Sequence, residues 1–423
     1  MKTISKFWAF TLVLLMWPSL QQAQILDKLK NAVKNKTEQK ADEGINKAVD
    51  KTEEAVTNIF KKKDKAKPTE NSDGKQVSNA EKSGSGKMQV NSKYDFVPGE
   101  KIIFYEDFST TNLGDFPVSF NTNGSGEVVT NNNYDGKWLK FVDSENAFWT
   151  ETLLKLPENY TVEFDVIPIK GDEGTMGGYV FRLIKSINPK SYDTGAVPGK
   201  GGFKFQVEYF GRPNYRAYLN DYQGEFYNLE GLKEDESLFQ KENRKYHIAI
   251  WVQKSRLRLY QDENKLFDIQ KAFPDAAVKM DRIRFEEGAA LISNIRIATG
   301  NPDMRNKLIT EGKLVTYGIY FDVNKDVVKP ESIPTLKEIA QVLSDNPTVR
   351  VKIVGHTDSD GEDAKNLDLS KRRGASVKKV LENTFGIQSG RLESDGLGET
   401  KPVAPNDNPS NKALNRRVEF VKL

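Results

Sequence analysis

The 423-residue chain contains no cysteine and only two histidines, His247 and His356. Without cysteine it can form no disulfide, no thiolate metal site and no thiol nucleophile. Two histidines nearly exclude a zinc site built from several imidazole ligands. The acidic run at 358–363 is wrongly spaced for a calcium loop of the EF-hand type. We therefore predict neither a metal site nor a bound cofactor.

The chain also has no large excess of either charge. Lys and Arg total 63 and Asp and Glu total 60, which gives a net charge of +3. A nucleic-acid partner usually requires a strong basic excess on one domain, so none is expected. The length exceeds the roughly 100–200 residues of an ordinary domain and predicts two folded domains with accessory segments.

Residues 1–23 have the pattern of a secretory signal peptide. Lys2 and Lys6 precede an apolar run at 7–17, which is short for a membrane span, and Pro18 ends it. Cleavage near Ala23 is expected, although Gln21 fits the site imperfectly, and a retained membrane anchor is the alternative. Export predicts a place in the periplasm or at the cell outer membrane.

Two segments of low complexity follow. In residues 24–66 apolar positions recur mostly in steps of four between Lys and Glu, which predicts a helical, coiled-coil-like stalk. The alternative is a charged segment that is disordered when alone. Residues 67–93 are rich in Ser, Gly, Asn and Lys and predict a flexible linker.

Residues 94–300 contain many short, mostly alternating apolar segments separated by Gly, Asn, Asp or Pro, which predicts an all-β sandwich. The segment resembles the concanavalin A-like and laminin-G-like jelly rolls. Four stretches carry this resemblance: 106–109, 162–166, the hairpin-like pair 246–252 and 256–269, and 292–297.

After a short linker at 301–313, strand and helix patterns alternate to the last residue. Strands are predicted at 314–321 and 349–355, and helices at 331–346 and 362–386, with the last strands near 391–398 and 415–423. This alternation predicts an α/β domain at 314–423, in which helices pack on a sheet.

Four motifs in this last domain occur in the order and spacing of the OmpA-like peptidoglycan-binding family, which the domain resembles over essentially its whole length. They are FDVN at 321–324, GHTDSDG at 355–361, the set Asn366, Leu369, Ser370 and Arg373, and LNRRVEF at 414–420. Gly374 departs from the family, where Ala commonly follows the Arg. A glycine costs about 0.5–1 kcal/mol in a helix interior, so it puts local rigidity in question.

The resemblance implies that Asp358 and Arg373 are the principal ligand residues. Diaminopimelate in the peptide stem of peptidoglycan ends in an ammonium and a carboxylate, which an acid and an Arg fork could bind. Taken singly, Asp358 could cap a turn, and Arg373 could pair with Asp360 or Asp363. The resemblance implies that further residues line the pocket: Asn324, Thr357, Asn366, Leu369 and Arg416.

Two enzymatic interpretations are weaker. Ser370 lies inside a predicted helix, which does not suit a nucleophile next to His356 and Asp358. Glu163 and Asp165 match part of the E-x-D-x-E pattern of some jelly-roll glucanases, but Ile167 stands where the second catalytic carboxyl is needed. Glu163 and Asp165 are instead predicted to face water from a half-buried strand.

The sequence thus predicts a non-enzymatic envelope protein. An N-terminal helical stalk precedes a jelly-roll sandwich, and an OmpA-like domain binds peptidoglycan and tethers the sandwich to the cell wall. The sandwich would bind a glycan or an envelope protein, and contact with the outer membrane stays open. The alternatives are an outer-membrane β-barrel porin with a wall anchor and, less favoured, a polysaccharide-cleaving enzyme.

Overall fold

The computed structural model describes residues 94–141, 147–171, 177–188, 195–286, 288–300 and 303–423, which belong to one compact unit. The predicted signal peptide, stalk and linker, at 1–23, 24–66 and 67–93, lie outside the described residues. Within those residues we distinguish a β region, residues 94–300 with strands between Lys101 and Thr299, and a C-terminal region from residue 303 onward.

The β region contains fifteen described strands, most of them at the predicted apolar segments. In chain order they are β1 (Lys101–Glu106), β2 (Phe120–Thr122), β3 (Gly126–Val129), β4 (Trp138–Phe141), β5 (Ala147–Thr150), β6 (Asn159–Pro168), β7 (Tyr179–Lys185), β8 (Gly201–Val207), β9 (Pro213–Tyr222), β10 (Glu225–Leu232), β11 (Tyr246–Gln253), β12 (Arg256–Gln261), β13 (Asn264–Ile269), β14 (Arg282–Glu286) and β15 (Ala290–Thr299).

These strands form two antiparallel sheets around one apolar core. The first sheet has the order β13-β12-β11-β6-β15-β4-β3, with β1 also paired to β15, and the second has the order β10-β9-β8-β7-β14-β5-β2. Phe164 of the first sheet contacts Phe181 of the second, with ring centroids 4.9 Å apart. The porin alternative, which requires a single closed sheet of strands, is therefore wrong. The jelly-roll connectivity and the boundaries at 94 and 300 stay predictions.

Strand β6 is covered on both faces. Val162, Phe164 and Val166 point into the core between the sheets, because alternate residues of a strand face opposite sides. Glu163 and Asp165 lie on the outer face, yet they are only 1% and 5% exposed. The prediction that they face water is wrong, since the C-terminal region packs over this part of the sheet, where Tyr320 contacts Glu163.

The C-terminal region confirms the predicted α/β organisation. Its elements are β16 (Lys313–Thr316), α1 (Ile333–Asp345), β17 (Val351–His356), α2 (Asp363–Asn383), β18 (Leu392–Gly398), α3 (Pro409–Asn415) and β19 (Val418–Lys422). The sheet order is β16-β19-β17-β18, with β17 and β18 parallel. Within the described residues, no helix is both long and apolar enough to cross a bilayer.

An apolar core joins the helices to this sheet, with Leu336 of α1 and Val377 of α2 packed among Ile353 and Phe420. Two details differ from the predicted elements. The strand predicted at 314–321 ends at Thr316, and the segment predicted as a linker at 301–313 contributes Leu308 to the core.

Helix α2 lies directly against the backbone of the sheet, and glycines make this approach feasible. A Cβ on Gly374 would lie 2.5 Å from the carbonyl oxygen of Asp395, and one on Gly355 would lie 2.3 Å from that of Ser370. Gly374 therefore has a packing role that outweighs its low helix propensity. The close contact fixes the position of the helix face that carries Asn366 and Arg373.

We expect Gly374→Ala to destabilise the protein, although alanine is the better helix former. The gain of about 0.5–1 kcal/mol in propensity is smaller than the cost of overpacking, typically 1–3 kcal/mol. Urea unfolding should show a net loss of about 1–2 kcal/mol. Gly390→Ala is the control, because no atom lies within 4 Å of its added Cβ. Equal or higher stability of Gly374→Ala would contradict the packing role.

Candidate functional site

A cavity of about 440 Å³ lies where the C-terminal region meets the β region, and residues of both regions line it. From the β region come residues of β1, β6, β11 and β15 and of the loops that follow β1 and precede β4. All the ligand residues predicted from the sequence line this cavity: Asn324, Thr357, Asp358, Asn366, Leu369, Arg373 and Arg416.

Asp358 lies in the loop after β17 and is only 7% exposed. The loop is fixed by a backbone hydrogen bond from Thr357 N to Gly398 O, 3.0 Å long. One carboxylate oxygen of Asp358 accepts a hydrogen bond from Asp360 N at 3.1 Å, and the other accepts from Arg416 Nη1 at 2.6 Å. Asp358 therefore both caps its own turn and holds a charged partner at the cavity.

Asn366, in the first turn of α2, fixes the same loop. Its side-chain amide donates to the carbonyl oxygens of Asp358, at 3.3 Å, and Asp360, at 3.1 Å, and to Glu399 Oε2, at 2.7 Å. Asn366 thus fixes the backbone of the loop that carries Asp358. The Asp358 carboxylate is therefore held in place before any ligand binds.

Arg373 lies two turns further along the same helix face, as its spacing from Asn366 predicts. It donates to the backbone carbonyls of Lys325 at 2.9 Å and Asp322 at 3.2 Å, and its guanidinium lies over the ring of Phe321, 4.8 Å from the centroid. Asp360, one partner considered for Arg373, pairs instead with Lys412.

The electrostatic setting of Arg373 is unusual for an arginine. Burial lowers its pKa to about 10, and the positive charges of Arg416 and Arg372 act in the same direction, while Asp358 opposes them. The group stays protonated at neutral pH, and it would gain from a further anionic partner.

The segment at 321–324 joins the two regions. Asn324 adopts a left-handed backbone conformation, with φ of 57°, which asparagine tolerates better than most residues. Asp322 of this segment pairs with Lys245, which directly precedes β11, at 2.7 Å. The loop that orients Arg373 is therefore itself held by the β region.

Arg416 follows α3 and connects three groups at the cavity. Nη1 contacts Asp358 at 2.6 Å, Nη2 contacts Asp107 of the β region at 3.0 Å, and the guanidinium lies 5.0 Å from the ring centroid of Tyr105. Nearby, the Ser410 hydroxyl accepts from Tyr105 N and donates to Tyr105 O, both at 3.2 Å.

Asp107 was not predicted from the sequence as a site residue. It lies in the 106–109 stretch, which the sequence marks only as one of the four that carry the jelly-roll resemblance.

A cluster of buried charges lies beside the cavity. Glu163 accepts from Arg296 Nη1 at 2.7 Å and from the Tyr320 hydroxyl at 2.5 Å. Asp165 contacts His247 Nδ1 at 2.8 Å and accepts from Asn294 Nδ2 at 2.9 Å. A β-bulge between Ser293 and Arg296 brings Asn294 to this position. Every charge in the cluster has a partner, as burial of an ion requires.

These contacts determine the protonation states. Burial alone would raise the pKa of Asp165, but the charge of Lys329 and the hydrogen bond to His247 lower it below its ordinary value. Burial likewise raises the pKa of Glu163, but the positive charges of Arg296 and His247 outweigh burial and lower the pKa below the ordinary value. Burial lowers the pKa of His247, but the hydrogen bond to Asp165 and the ion pair with Glu163, 3.5 Å from Nε2, outweigh it and raise the pKa to about 10.

This cluster does not have the arrangement of a glucanase site. Both carboxylates are engaged by cationic side chains, and Ile167 packs with Trp138 and Leu291 in an apolar patch. Across the described residues, no group of three or more His, Asp or Glu side chains is placed to share a metal ion.

Comparison with known proteins identifies the C-terminal part. Residues 320–416 match the OmpA family and form an OmpA family domain. The outer membrane porin F of Pseudomonas aeruginosa is 40% identical over 111 residues, which are 26% of this chain and 32% of that protein. The motility protein B of Bacillus subtilis is 33% identical over 126 residues, 28% of this chain and 48% of that protein. The chain thus spans less than half the length of either relative.

Among solved structures, the peptidoglycan-associated lipoprotein from Burkholderia pseudomallei is 28% identical, with a TM-score of 0.25. The match covers 29% of this chain and 100% of that one.

We expect His247→Gln to reveal a pH-dependent contribution to stability. The pKa of His247 rises from 6.5 to about 10 on folding, so its charged interactions stabilise fully below pH 6.5 and are lost as pH rises toward 10. The difference in free energy of unfolding between wild type and variant, from urea unfolding, should therefore shrink across that range. A difference that stays constant or grows would show that His247 is not protonated in the folded protein.

Proposed function

We propose that the C-terminal region binds peptidoglycan through the diaminopimelate of its peptide stem, with Asp358 taking the ammonium and Arg373 the carboxylate. The observation that carries the proposal is that a buried carboxylate and a guanidinium with a lowered pKa line one cavity, both held by bonds to the backbone. Such a pair matches the two opposite charges at the end of diaminopimelate.

The contacts of Arg373 suit this role. Its bonds to Lys325 O and Asp322 O engage two of the five N–H groups of a guanidinium and orient its plane. Within the described residues, these two are the hydrogen bonds of the Arg373 guanidinium, and its other N–H groups remain available to a ligand carboxylate. A preoriented fork loses less conformational entropy on binding than a free arginine side chain.

The OmpA family domain supports a place in the cell envelope, and the name of porin F places that relative in the outer membrane. We propose that this chain is exported by residues 1–23 and is located in the periplasm or at the outer membrane. The β region is then the part tethered to the wall, with a glycan or an envelope protein as its partner. A non-enzymatic role fits the paired state of Glu163 and Asp165.

We expect Asp358→Ala and Arg373→Ala each to weaken co-sedimentation with diaminopimelate-containing sacculi by about tenfold or more, because each leaves one ligand charge without a partner. Arg372→Ala is the matched control, since that neighbouring arginine pairs with Asp368 and Asp326. Circular dichroism should be unchanged in all three variants.

Sacculi with lysine in place of diaminopimelate provide a second control, because lysine keeps the ammonium and lacks the carboxylate. Wild-type protein should bind them weakly, and Arg373→Ala should reduce that binding little further. Normal sedimentation of both Asp358→Ala and Arg373→Ala with diaminopimelate sacculi would refute the assignment.

A further inference from the structure

We propose that the β region is part of the peptidoglycan receptor, with Asp107 as a positioning residue that provides the second counter-ion for Arg416 and thereby frees Asp358 to bind the ligand ammonium. The inference rests on the proposed function. It assigns to the β region a direct influence on affinity, beyond being the part that is tethered.

The cavity is lined by both regions, and it carries both signs of charge in nearly equal number. Eight Asp or Glu residues line it, together with eight Lys or Arg residues and the protonated His247. A wall that carries both signs of charge suits a zwitterionic ligand better than a simple anion or cation. Because Asp107 and Asp165 on one side belong to the β region, the isolated C-terminal sequence does not contain the complete set.

Arg416 is shared between the two regions. Its two terminal nitrogens contact different carboxylates, Asp358 at 2.6 Å and Asp107 at 3.0 Å. Asp107 is fixed on its own side, because its Oδ1 accepts from Ser109 N at 3.1 Å. One guanidinium therefore bridges the ligand-binding acid and an acid of the β region.

This bridge bears on ligand binding because Arg416 and the ligand ammonium compete for Asp358. If Asp358 were the sole counter-ion of Arg416, a ligand ammonium that paired with Asp358 would leave the partly buried guanidinium of Arg416 without a partner. Leaving a buried charge unpaired is costly. Asp107 keeps Arg416 neutralised and oriented over Tyr105 while Asp358 turns to the ligand. Loss of the Asp107 charge should therefore weaken ligand binding.

Asp107 could instead serve only to join the two regions. Several other contacts cross the same junction, among them Lys307 with Glu100, Lys245 with Asp322, and Tyr320 with Glu163. Loss of one contact should leave the regions joined. Glu100→Gln is the matched control, because it removes a carboxylate charge from an ion pair across the junction, while neither Glu100 nor Lys307 lines the cavity.

The experiment measures, by calorimetry on the full chain, the affinity for a stem tripeptide that ends in meso-diaminopimelate. We expect Asp107→Asn to weaken binding by about three- to tenfold, Asp107→Glu to restore part of the loss, and Glu100→Gln to bind as wild type does. A tripeptide ending in 2-aminopimelate, which lacks the ammonium, should bind wild type and Asp107→Asn equally. Thermal unfolding of each variant reports any loss of structure.

The outcomes separate this inference from the proposed function. If Asp107→Asn binds like wild type while Asp358→Ala does not bind, the role of Asp107 is refuted and peptidoglycan binding stands. The inference is overturned if Glu100→Gln loses as much affinity as Asp107→Asn. It is also overturned if Asp107→Asn weakens binding of the 2-aminopimelate peptide as much as binding of the diaminopimelate peptide. Either result would show that Asp107 acts only by joining the two regions. Undiminished binding by Asp358→Ala would refute the proposed function itself.

Discussion

The burial of two carboxylates on β6 is the constraint on which the junction of the two regions depends. Glu163 and Asp165 project from the first sheet on the side away from its core, and they are ionised beneath the C-terminal region. Buried charges are stable only with partners close by. Arg296 and His247 come from neighbouring strands, and Tyr320 comes from the C-terminal region. The first sheet and the OmpA family domain thus share one charged cluster, and the cavity opens beside it.

Much of the C-terminal region could be predicted from the sequence, because its signals are local. Helix α2 follows from apolar and polar spacing, and the motif residues fall on one face of it or in the loop before it, as with Asn366 and Asp358. The strand predicted at 314–321 was too long, since apolar residues beyond Thr316, such as Ile319, pack into the core without a strand partner in the described sheet.

The junction could not be predicted, for a physical reason. The alternation of apolar and charged residues along β6 indicates which side chains point away from the core, but it does not indicate what covers them. The contact of Asn294 with Asp165 depends on a bulge, and that of His247 with Asp165 depends on the register between β6 and β11. Neither feature has a sequence signal in a single chain. The same holds for Asp107, whose partner Arg416 lies 309 positions away.

The contact of Ser410 with β1 has a mechanical consequence. Strand β1 pairs with β15 on one side, and the Ser410 hydroxyl bonds to both backbone groups of Tyr105. Tension applied at the loop of Asp358 would pass through Arg416 and α3 into strand β1. The strand would carry it as shear along its hydrogen bonds to the sheet. This route acts in parallel with the covalent connection near residue 300. Under the proposed binding to peptidoglycan, load would reach the β region through this folded joint as well as through the covalent connection.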